Sequence, residues 1–411
     1  MCDMPTTSLN ELQGMASDST MMNPEVAEEE RQNLQKIIAA LRYYRKHSLT
    51  RVNKTTNYLN SLPERHQGML VKYRHHLNAV RDCIDKNQIV IKKMLRDNLL
   101  LGGGGTGPEI TQKDLDGHAT KIRHQDMEHA QSTLKAIARD WSTEGAEERE
   151  QSYKPIIDAI EHYYNPKELK VNEIKILVPG SGLGRLTYEL ACRGYECEGN
   201  EFSYFMLLAS NFVLNCCKEE NMHTLYPWVH QNVNNLQRAD QVAAVRFPDV
   251  CPDKNKPTGL LSIVAGDFLE VYKTPNCFHC VATCFFIDCA NNVVDFIETI
   301  YNILMPGGIW VNLGPLLYHF SDIPNEQSIE PTYEDIIHII NCVGFEVVTS
   351  KTGIRTKYAQ NPQSMLKSEY ESLFWICRKP LTDTIEAAVD EIQSSAESTD
   401  QCCDINGYNE R

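Results

Sequence analysis

A glycine-rich turn is the first feature of this chain that could bind a small molecule. The buried-strand pattern at 174–179 passes through Gly180, Gly182 and Gly184 into a helical pattern that begins near Arg185. Glycine lets the backbone approach a ligand closely, and the first amides of a helix are unpaired donors for a carboxylate or phosphate. A nicotinamide dinucleotide site needs Gly-x-Gly-x-x-Gly, which would place glycine at position 185. The turn therefore predicts a nucleotide-type ligand and disfavours a nicotinamide oxidoreductase.

Acidic and aromatic residues follow the next two predicted strands. The second strand ends at Glu201, and the third is followed by Asp267 and Phe268. Open α/β sheets bind ligands at the carboxyl ends of their strands, so Glu201 is preferred to Glu198 as a ribose ligand. Asp267 is predicted to bind an adenine amino group, and Phe268 to flank the base. Each feature alone also fits a turn or packing role, but their order favours a cofactor site.

The spacing Gly-x-Gly-x-Gly resembles the first motif of class I methyltransferases, which use S-adenosylmethionine. The segment Met-Pro-Gly-Gly at 305–308, before the fifth predicted strand, is a turn that enzymes of this class often carry. The predicted cofactor is therefore S-adenosyl-L-methionine.

The fourth and fifth predicted strands end close to a carboxylate and an imidazole. Asp288 follows the fourth strand, and the fifth leads into a loop that contains His319. Because the carboxyl ends of neighbouring parallel strands meet at one edge of a sheet, the two side chains are expected to converge on the acceptor. A single loop histidine more often has a surface or structural role, and only its position beside this edge favours chemistry.

The fifteen cysteines are expected to be reduced thiols. They are scattered through predicted strands and helices of a large chain whose N-terminus lacks the order of a signal peptide. Cys277 and Cys280 form a Cys-x-x-Cys pair, but a structural zinc site usually takes four ligands. Residues three apart on a strand also face opposite sides. Buried strand thiols are favoured, and no metal is expected.

Apolar patterning divides the chain into a helical part and an α/β part. Up to about residue 170 the apolar residues recur at helical spacing, and from 174 short apolar runs alternate with amphipathic helices. The predicted fold is α/β, a class I methyltransferase Rossmann-like seven-stranded sheet with an N-terminal helical domain. Strands are predicted at 174–179, 195–200, 261–266, 278–287, 309–314, 345–352 and 372–378. Helices are predicted at about 127–141, 149–164, 183–193, 202–217, 292–304 and 332–342.

The predicted domain bounds place most of the charge at the two ends. They are an acidic tail at 1–30, a helical domain at 31–170, a methyltransferase domain at 171–380 with an insertion near 219–258, and a second tail at 381–411. The tails carry 14 of the 15 net negative charges, which predicts disordered, solubilising ends. No stretch approaches the roughly 18 apolar residues of a membrane span. We expect a cytoplasmic protein that makes no membrane contact, while nuclear localisation and a homodimer are left open.

One basic region could attract a polyanion. Residues 31–74 contain ten Lys or Arg and one Glu, with Tyr43, Tyr44 and Tyr58 interleaved. A solvated helical face explains this composition more simply, so nucleic acid is not the expected partner.

The stretch from about 31 to 380 resembles the carnosine N-methyltransferase family. The matching segments are 43–46, 61–63, 139–142, 177–185, 199–201, 284–288 and 307–320. The resemblance implies methyl transfer from S-adenosylmethionine to an imidazole nitrogen of the dipeptide carnosine, giving anserine. It also implies that Arg139 and Cys284 lie against the cofactor, and that Asp288, His319 and Tyr370 contact the acceptor.

Each of the three acceptor residues has an expected role in methyl transfer. We expect His319 to act as the base, Asp288 to fix the acceptor by hydrogen bonding, and Tyr370 to orient it. Two alternatives differ in function class. One is a methyltransferase of RNA or a protein side chain, and the other is a non-catalytic interaction module on a degenerate methyltransferase fold.

Overall fold

The structure, a computed structural model, describes residues 24–98, 122–165 and 170–381, with the side chains of 24–29 left out. The two predicted acidic tails, at 1–30 and 381–411, lie outside these residues except for 24–30, which begin the first helix, and for 381. None of the described helices combines the length and the apolar character that crossing a membrane requires.

The first part of the chain is helical, as its periodicity predicts. Its helices are α1 (Pro24–Ser61), α2 (Glu64–Met69), α3 (Val71–Asp97), α4 (His124–Trp141) and α5 (Ala146–Tyr163). Apolar side chains recur at intervals of three and four residues on α3, so one face of this helix is buried against its neighbours. The buried residues of α1, α3 and α4 share one hydrophobic core with Leu208 and Phe212, which follow the second strand of the sheet. The helices therefore pack directly on the α/β part.

A seven-stranded sheet forms the second part. Its strands are β1 (Lys175–Pro179), β2 (Glu196–Glu201), β5 (Leu261–Ala265), β6 (Phe278–Cys284), β7 (Leu304–Gly314), β8 (Glu346–Thr356) and β9 (Tyr370–Arg378). The order across the sheet is β5-β2-β1-β6-β7-β9-β8. The first five are parallel, whereas β9 runs antiparallel to both β7 and β8. All seven predicted strands and the α/β class I methyltransferase fold are confirmed.

Helices cover both faces of this sheet. Between and after the strands lie α6 (Arg185–Cys192), α7 (Tyr204–Asn211), α9 (Phe268–Val271), α10 (Val293–Ile303) and α11 (Tyr333–Val343). One core contains residues of α5 and α6, and a second contains residues of α10 and α11. The strands β1, β6 and β7 contribute to both, because a strand buried on two faces is apolar at successive positions.

Three segments differ from the sequence prediction. Strand β6 stops at Cys284 rather than 287, because Phe285 has a positive φ of 54° that breaks the extended backbone. Strand β7 starts at Leu304, so the segment 305–308 lies within the strand, where pairing with β6 shifts register. The segment 219–258 adds β3 (His223–Leu225) and β4 (Val245–Phe247), which pair with each other, and α8 (Arg238–Gln241).

Candidate active site

The glycine turn between β1 and α6 has two different environments. Gly180, Gly182 and Gly184 all have positive φ, at 62°, 56° and 75°, a conformation that other residues rarely adopt. A methyl group on Gly180 would meet the ring of Phe286 at 2.5 Å, whereas one on Gly182 would have no atom of the described residues within 4 Å. The indole Nε1 of Trp141 donates to the carbonyl of Leu183 at 3.0 Å and so braces the turn. The turn is therefore fixed on one side and open at Gly182.

Glu201 is bonded directly to that turn. Its Oε2 accepts from the amide of Gly182 at 2.8 Å, and its Oε1 accepts from the amide of Ser203 at 2.8 Å. Burial raises the pKa of Glu201, while both amides oppose the rise. Glu198, the alternative acid, instead accepts from the hydroxyl of Tyr272 at 2.6 Å. Glu201 is therefore the acid that contacts the turn, and its role toward a ribose stays a prediction.

Asp267 and Phe268 follow β5 as predicted, and both have contacts of their own. Asp267 is exposed and caps α9, because its Oδ1 accepts from the amide of Leu269 at 2.8 Å. Phe268 is buried and packs edge to face on Phe286 and Phe296. Their roles toward an adenine ring stay predictions.

Arg139 lies in the last turn of α4, where aromatic and polar groups surround it. Its guanidinium lies 4.6 Å from the ring centre of Tyr358, and it donates to Asp140 at 2.8 Å and to the hydroxyl of Tyr153 at 2.7 Å. Burial lowers the pKa of Arg139, but Tyr153 and Asp140 outweigh burial and leave the pKa raised. Its Nε is buried, has no hydrogen-bond partner in the described part of the chain, and lies 3.8 Å from a Glu148 oxygen. Arg139 is thus a fixed cation with one donor unused.

Cys284 lies beside Arg139 at the end of β6. Burial raises the pKa of this thiol to about 12, and the nearby guanidinium lowers it only partly. The thiol is therefore protonated at neutral pH and is not a nucleophile. Its predicted place against the cofactor stays a prediction.

Asp288 and His319 converge as their strand-end positions predict. The amide of His319 donates to the Asp288 carbonyl at 2.9 Å, and the amide of Leu317 donates to Asp288 Oδ2 at 3.0 Å. Asp288 is 2% exposed, and its Oδ1 has no hydrogen-bond partner among the described residues. Burial raises the pKa of Asp288, although Leu317 and His319 oppose the rise. A buried acceptor oxygen without a donor is what a ligand N–H would satisfy.

Cys289 links this corner to the glycine turn. One ligand atom each from Asp288, Cys289 and His319 lies within 4.8 Å of the other two. Burial and then the carboxylates of Asp288 and Glu201 raise the pKa of the Cys289 thiol. The predicted donor and acceptor acids therefore both lie near the Cys289 thiol.

Tyr370 is in a different part of the site. It begins β9, and its ring packs edge to face on Phe285 with the ring centres 6.1 Å apart. Tyr358 packs on the same ring at 5.0 Å, and Arg139 lies 5.7 Å from it. Phe285 is thus shared by Arg139, Tyr358 and Tyr370, and it stands three positions before Asp288 in the chain.

Several residues near the site had no assigned role in the sequence. Asp249, in the segment 219–258, accepts from Arg149 at 2.6 Å and from Arg185 at 2.7 Å. Arg185 also lies 4.9 Å from the ring of Trp141. These contacts fix the start of α6 behind the glycine turn. No local pattern marks Asp249, although Arg185 and Trp141 both lie in segments that carry the family resemblance.

Comparison with known proteins gives one consistent family. A family model described as carnosine N-methyltransferase matches residues 117–381. The carnosine N-methyltransferase unmet of Drosophila melanogaster is 61% identical over 371 residues, which cover 86% of this chain and 81% of that protein. The carnosine N-methyltransferase of Mus musculus is 45% identical, with 85% and 87% covered. That of Schizosaccharomyces pombe is 37% identical, with 86% and 97% covered.

Proposed function

Because this chain belongs to the carnosine N-methyltransferase family, we propose that it transfers the methyl group of S-adenosylmethionine to an imidazole nitrogen of carnosine. The product would be anserine, methylated on the ring nitrogen nearer the side chain. The observation that carries the proposal is the buried, unpartnered Oδ1 of Asp288 beside His319. An imidazole is a planar ring with an N–H and a lone pair on opposite sides, and it suits such a corner.

The residues of the glycine turn fit S-adenosylmethionine. A methyl group on Gly182 would point into open space, so the backbone there leaves room for a ligand. Glu201 is held by the Gly182 and Ser203 amides, and its remaining lone pairs can accept the two ribose hydroxyls. The buried Nε of Arg139 is a cationic donor for the amino-acid carboxylate. When bound, S-adenosylmethionine supplies an electrophilic methyl carbon and a thioether leaving group.

Alignment accounts for most of the chemistry that this chain must provide. Methyl transfer is an in-line displacement, so fixing the nucleophile against the methyl carbon supplies a large part of the rate. The ring nitrogen nearer the side chain attacks with its lone pair, and the carbon–sulfur bond breaks. That nitrogen carries a lone pair only when the ring proton is on the distal nitrogen. Asp288 Oδ1, which has no hydrogen-bond partner among the described residues, would accept that distal N–H and thereby select this form of the ring.

His319 then receives the proton that methylation makes acidic. Alkylation turns the neutral ring into an imidazolium, and neutrality returns when the distal proton passes to the Asp288 carboxylate that accepts it and from there to His319, whose ring nitrogen lies within 4.8 Å of an Asp288 oxygen. The His319 side chain is exposed, so its ring can pass the proton to solvent. A positioned base of this kind typically contributes roughly 10²–10⁴-fold to the rate.

One experiment tests donor and acceptor together. Purified protein is incubated with S-adenosylmethionine labelled in the methyl group and with carnosine, free histidine or total RNA. We expect labelled product from carnosine, and mass spectrometry should place one added methyl on the imidazole ring. Label in RNA alone would contradict this proposal and support a nucleic-acid methyltransferase instead. Absence of S-adenosylmethionine binding would instead support a non-catalytic interaction module.

A further inference from the structure

A cavity of about 320 Å³ adjoins the proposed acceptor site. We define it as the Lys135 cavity, lined among others by Lys135, Trp228, Gln231, Gln360, Tyr358 and Tyr370. It lies between α4, the segment 219–258 and the loop that precedes β9. Its volume is in the range of small-molecule sites.

Lys135 brings the only charge to the described lining of this cavity. The other lining residues are neutral, and no Asp or Glu oxygen of the described chain lies within 4.0 Å of its ammonium group. Burial lowers the pKa of Lys135, since an ammonium group loses hydration there. A half-buried cation without a counter-ion favours an anionic ligand, because such a ligand restores the lost stabilisation.

The charged and titratable residues near Lys135 do not act as its counter-ion, so a ligand can take that role. Glu148 is the acid that touches the cavity wall, but its two oxygens accept from the amides of Ala359 at 2.7 Å and Gln360 at 3.0 Å. His230 lies on the other side of Lys135 and bonds the hydroxyl of Tyr44 at 2.8 Å. Burial and then the Lys135 charge lower the pKa of His230 to about 3, so its ring is neutral.

Two tyrosines connect the cavity to the site of chemistry. Tyr358 and Tyr370 line the cavity, and both pack on Phe285, at 5.0 and 6.1 Å between ring centres. Phe285 leads directly into the turn that carries Asp288. An acceptor whose imidazole ring lies at Asp288 would therefore extend the rest of its structure past Phe285 toward Lys135.

We propose that Lys135 binds the carboxylate of the acceptor dipeptide in this cavity, a role that rests on the proposed function. A histidine-containing dipeptide carries one carboxylate on the residue that bears the imidazole, and one amine at the far end of its chain. Lys135 attracts the first and repels the second, so it fixes the direction in which the dipeptide enters. The same contact selects acceptors with a carboxylate over imidazoles that lack one.

The test compares two acceptors that differ only in the carboxylate. Carnosine and β-alanylhistamine share the imidazole ring and the β-alanyl amine, and β-alanylhistamine lacks the carboxylate. We expect Lys135→Met to lower kcat/KM for carnosine by about 10–100-fold, the range for a hydrogen bond to a charged group. The value for β-alanylhistamine should stay unchanged, so the preference of the wild-type protein for carnosine should disappear. Lys135→Arg should recover part of the preference.

Control measurements separate the outcomes. Lys154→Met removes an exposed lysine of α5 that pairs with Asp158, and it should change neither acceptor. Cofactor affinity and the melting temperature of Lys135→Met should match the wild type. An equal loss of kcat/KM for both acceptors would overturn the role of Lys135 and leave the proposed function intact. The same holds if the wild-type protein does not prefer carnosine to β-alanylhistamine. Methylation of neither acceptor by the wild-type protein would overturn the proposed function itself.

Discussion

The donor half and the acceptor half of this site are built in different ways. The donor half consists of backbone, with three glycines at positive φ between β1 and α6 and one carboxylate bonded to the Gly182 amide. The acceptor half consists of side chains from distant elements, among them Asp288 after β6, His319 after β7 and Tyr370 on β9. A backbone site can be read from a short sequence motif, whereas a site of dispersed side chains requires the folded chain. Variants that affect one half and spare the other test this division.

His319→Ala should have the largest effect, and it should be confined to the acceptor half. Removal of the proposed base should lower kcat for carnosine by roughly 10²–10⁴-fold. Steady-state kinetics and a calorimetric titration with S-adenosylmethionine would measure the two halves separately, and cofactor affinity should be unchanged. His338→Ala, at an exposed histidine of α11, serves as the matched control. Wild-type turnover in His319→Ala would remove the base assignment.

Glu201→Gln should produce the opposite pattern. A glutamine keeps the shape of the side chain but loses the charge that would hold the ribose hydroxyls, so the Kd for S-adenosylmethionine should rise by about 10–100-fold. With saturating cofactor, the KM for carnosine should stay near the wild-type value. Glu198→Gln is the control, because Glu198 bonds Tyr272 rather than the turn. Equal losses in the two variants would argue against a special role for Glu201.

Two substitutions within the glycine turn should separate folding from binding. Gly180→Ala places a methyl group 2.5 Å from the Phe286 ring, so it should lower the unfolding free energy by about 1–3 kcal/mol beyond the backbone strain. Gly182→Ala meets no protein atom within 4 Å, and its cost in stability should be about 1–2 kcal/mol from the left-handed backbone alone. The second variant should nevertheless bind the cofactor about tenfold more weakly. Thermal melts and titrations would show whether the two losses separate.

The sequence predicts the donor half well for physical reasons. Periodicity identifies all seven strands, and the position of Glu201 at a strand end identifies the acid that reaches the turn. The convergence of Asp288 and His319 also follows from strand order, because parallel strands bring their carboxyl ends to one edge.

Other contacts in the site could not be predicted from local sequence. The positive φ of Phe285 ends β6 early and turns its ring toward Arg139, Tyr358 and Tyr370. Asp249 fixes Arg149 and Arg185 across more than 60 positions of the chain. Such contacts depend on tertiary packing, which produces no periodic pattern in the sequence. The roles of Arg139 and Tyr370 were likewise implied by resemblance to the family alone.

Asp288→Asn should have the smallest effect on stability, and the size of this effect should depend on pH. Burial raises the pKa of Asp288 in the folded state, so folding favours the protonated carboxyl. The associated stabilisation is present below the unfolded pKa of about 3.9 and is lost as the pH rises through the folded pKa.

As the pH rises above about 3.9, the wild-type protein loses this stabilisation, whereas the asparagine variant has no carboxyl group to titrate. We expect the variant to be about 1 kcal/mol more stable at pH 7, and the difference should vanish as the pH approaches about 4. Melting curves across this range would measure the difference, and carnosine turnover should fall in the same variant. A variant less stable than wild type at pH 7 would show that the carboxylate is satisfied within the folded chain, and Oδ1 would then not be free for an acceptor. A gain in stability together with a loss of turnover would show that Asp288 lowers the stability of the fold and that turnover nevertheless requires its carboxylate.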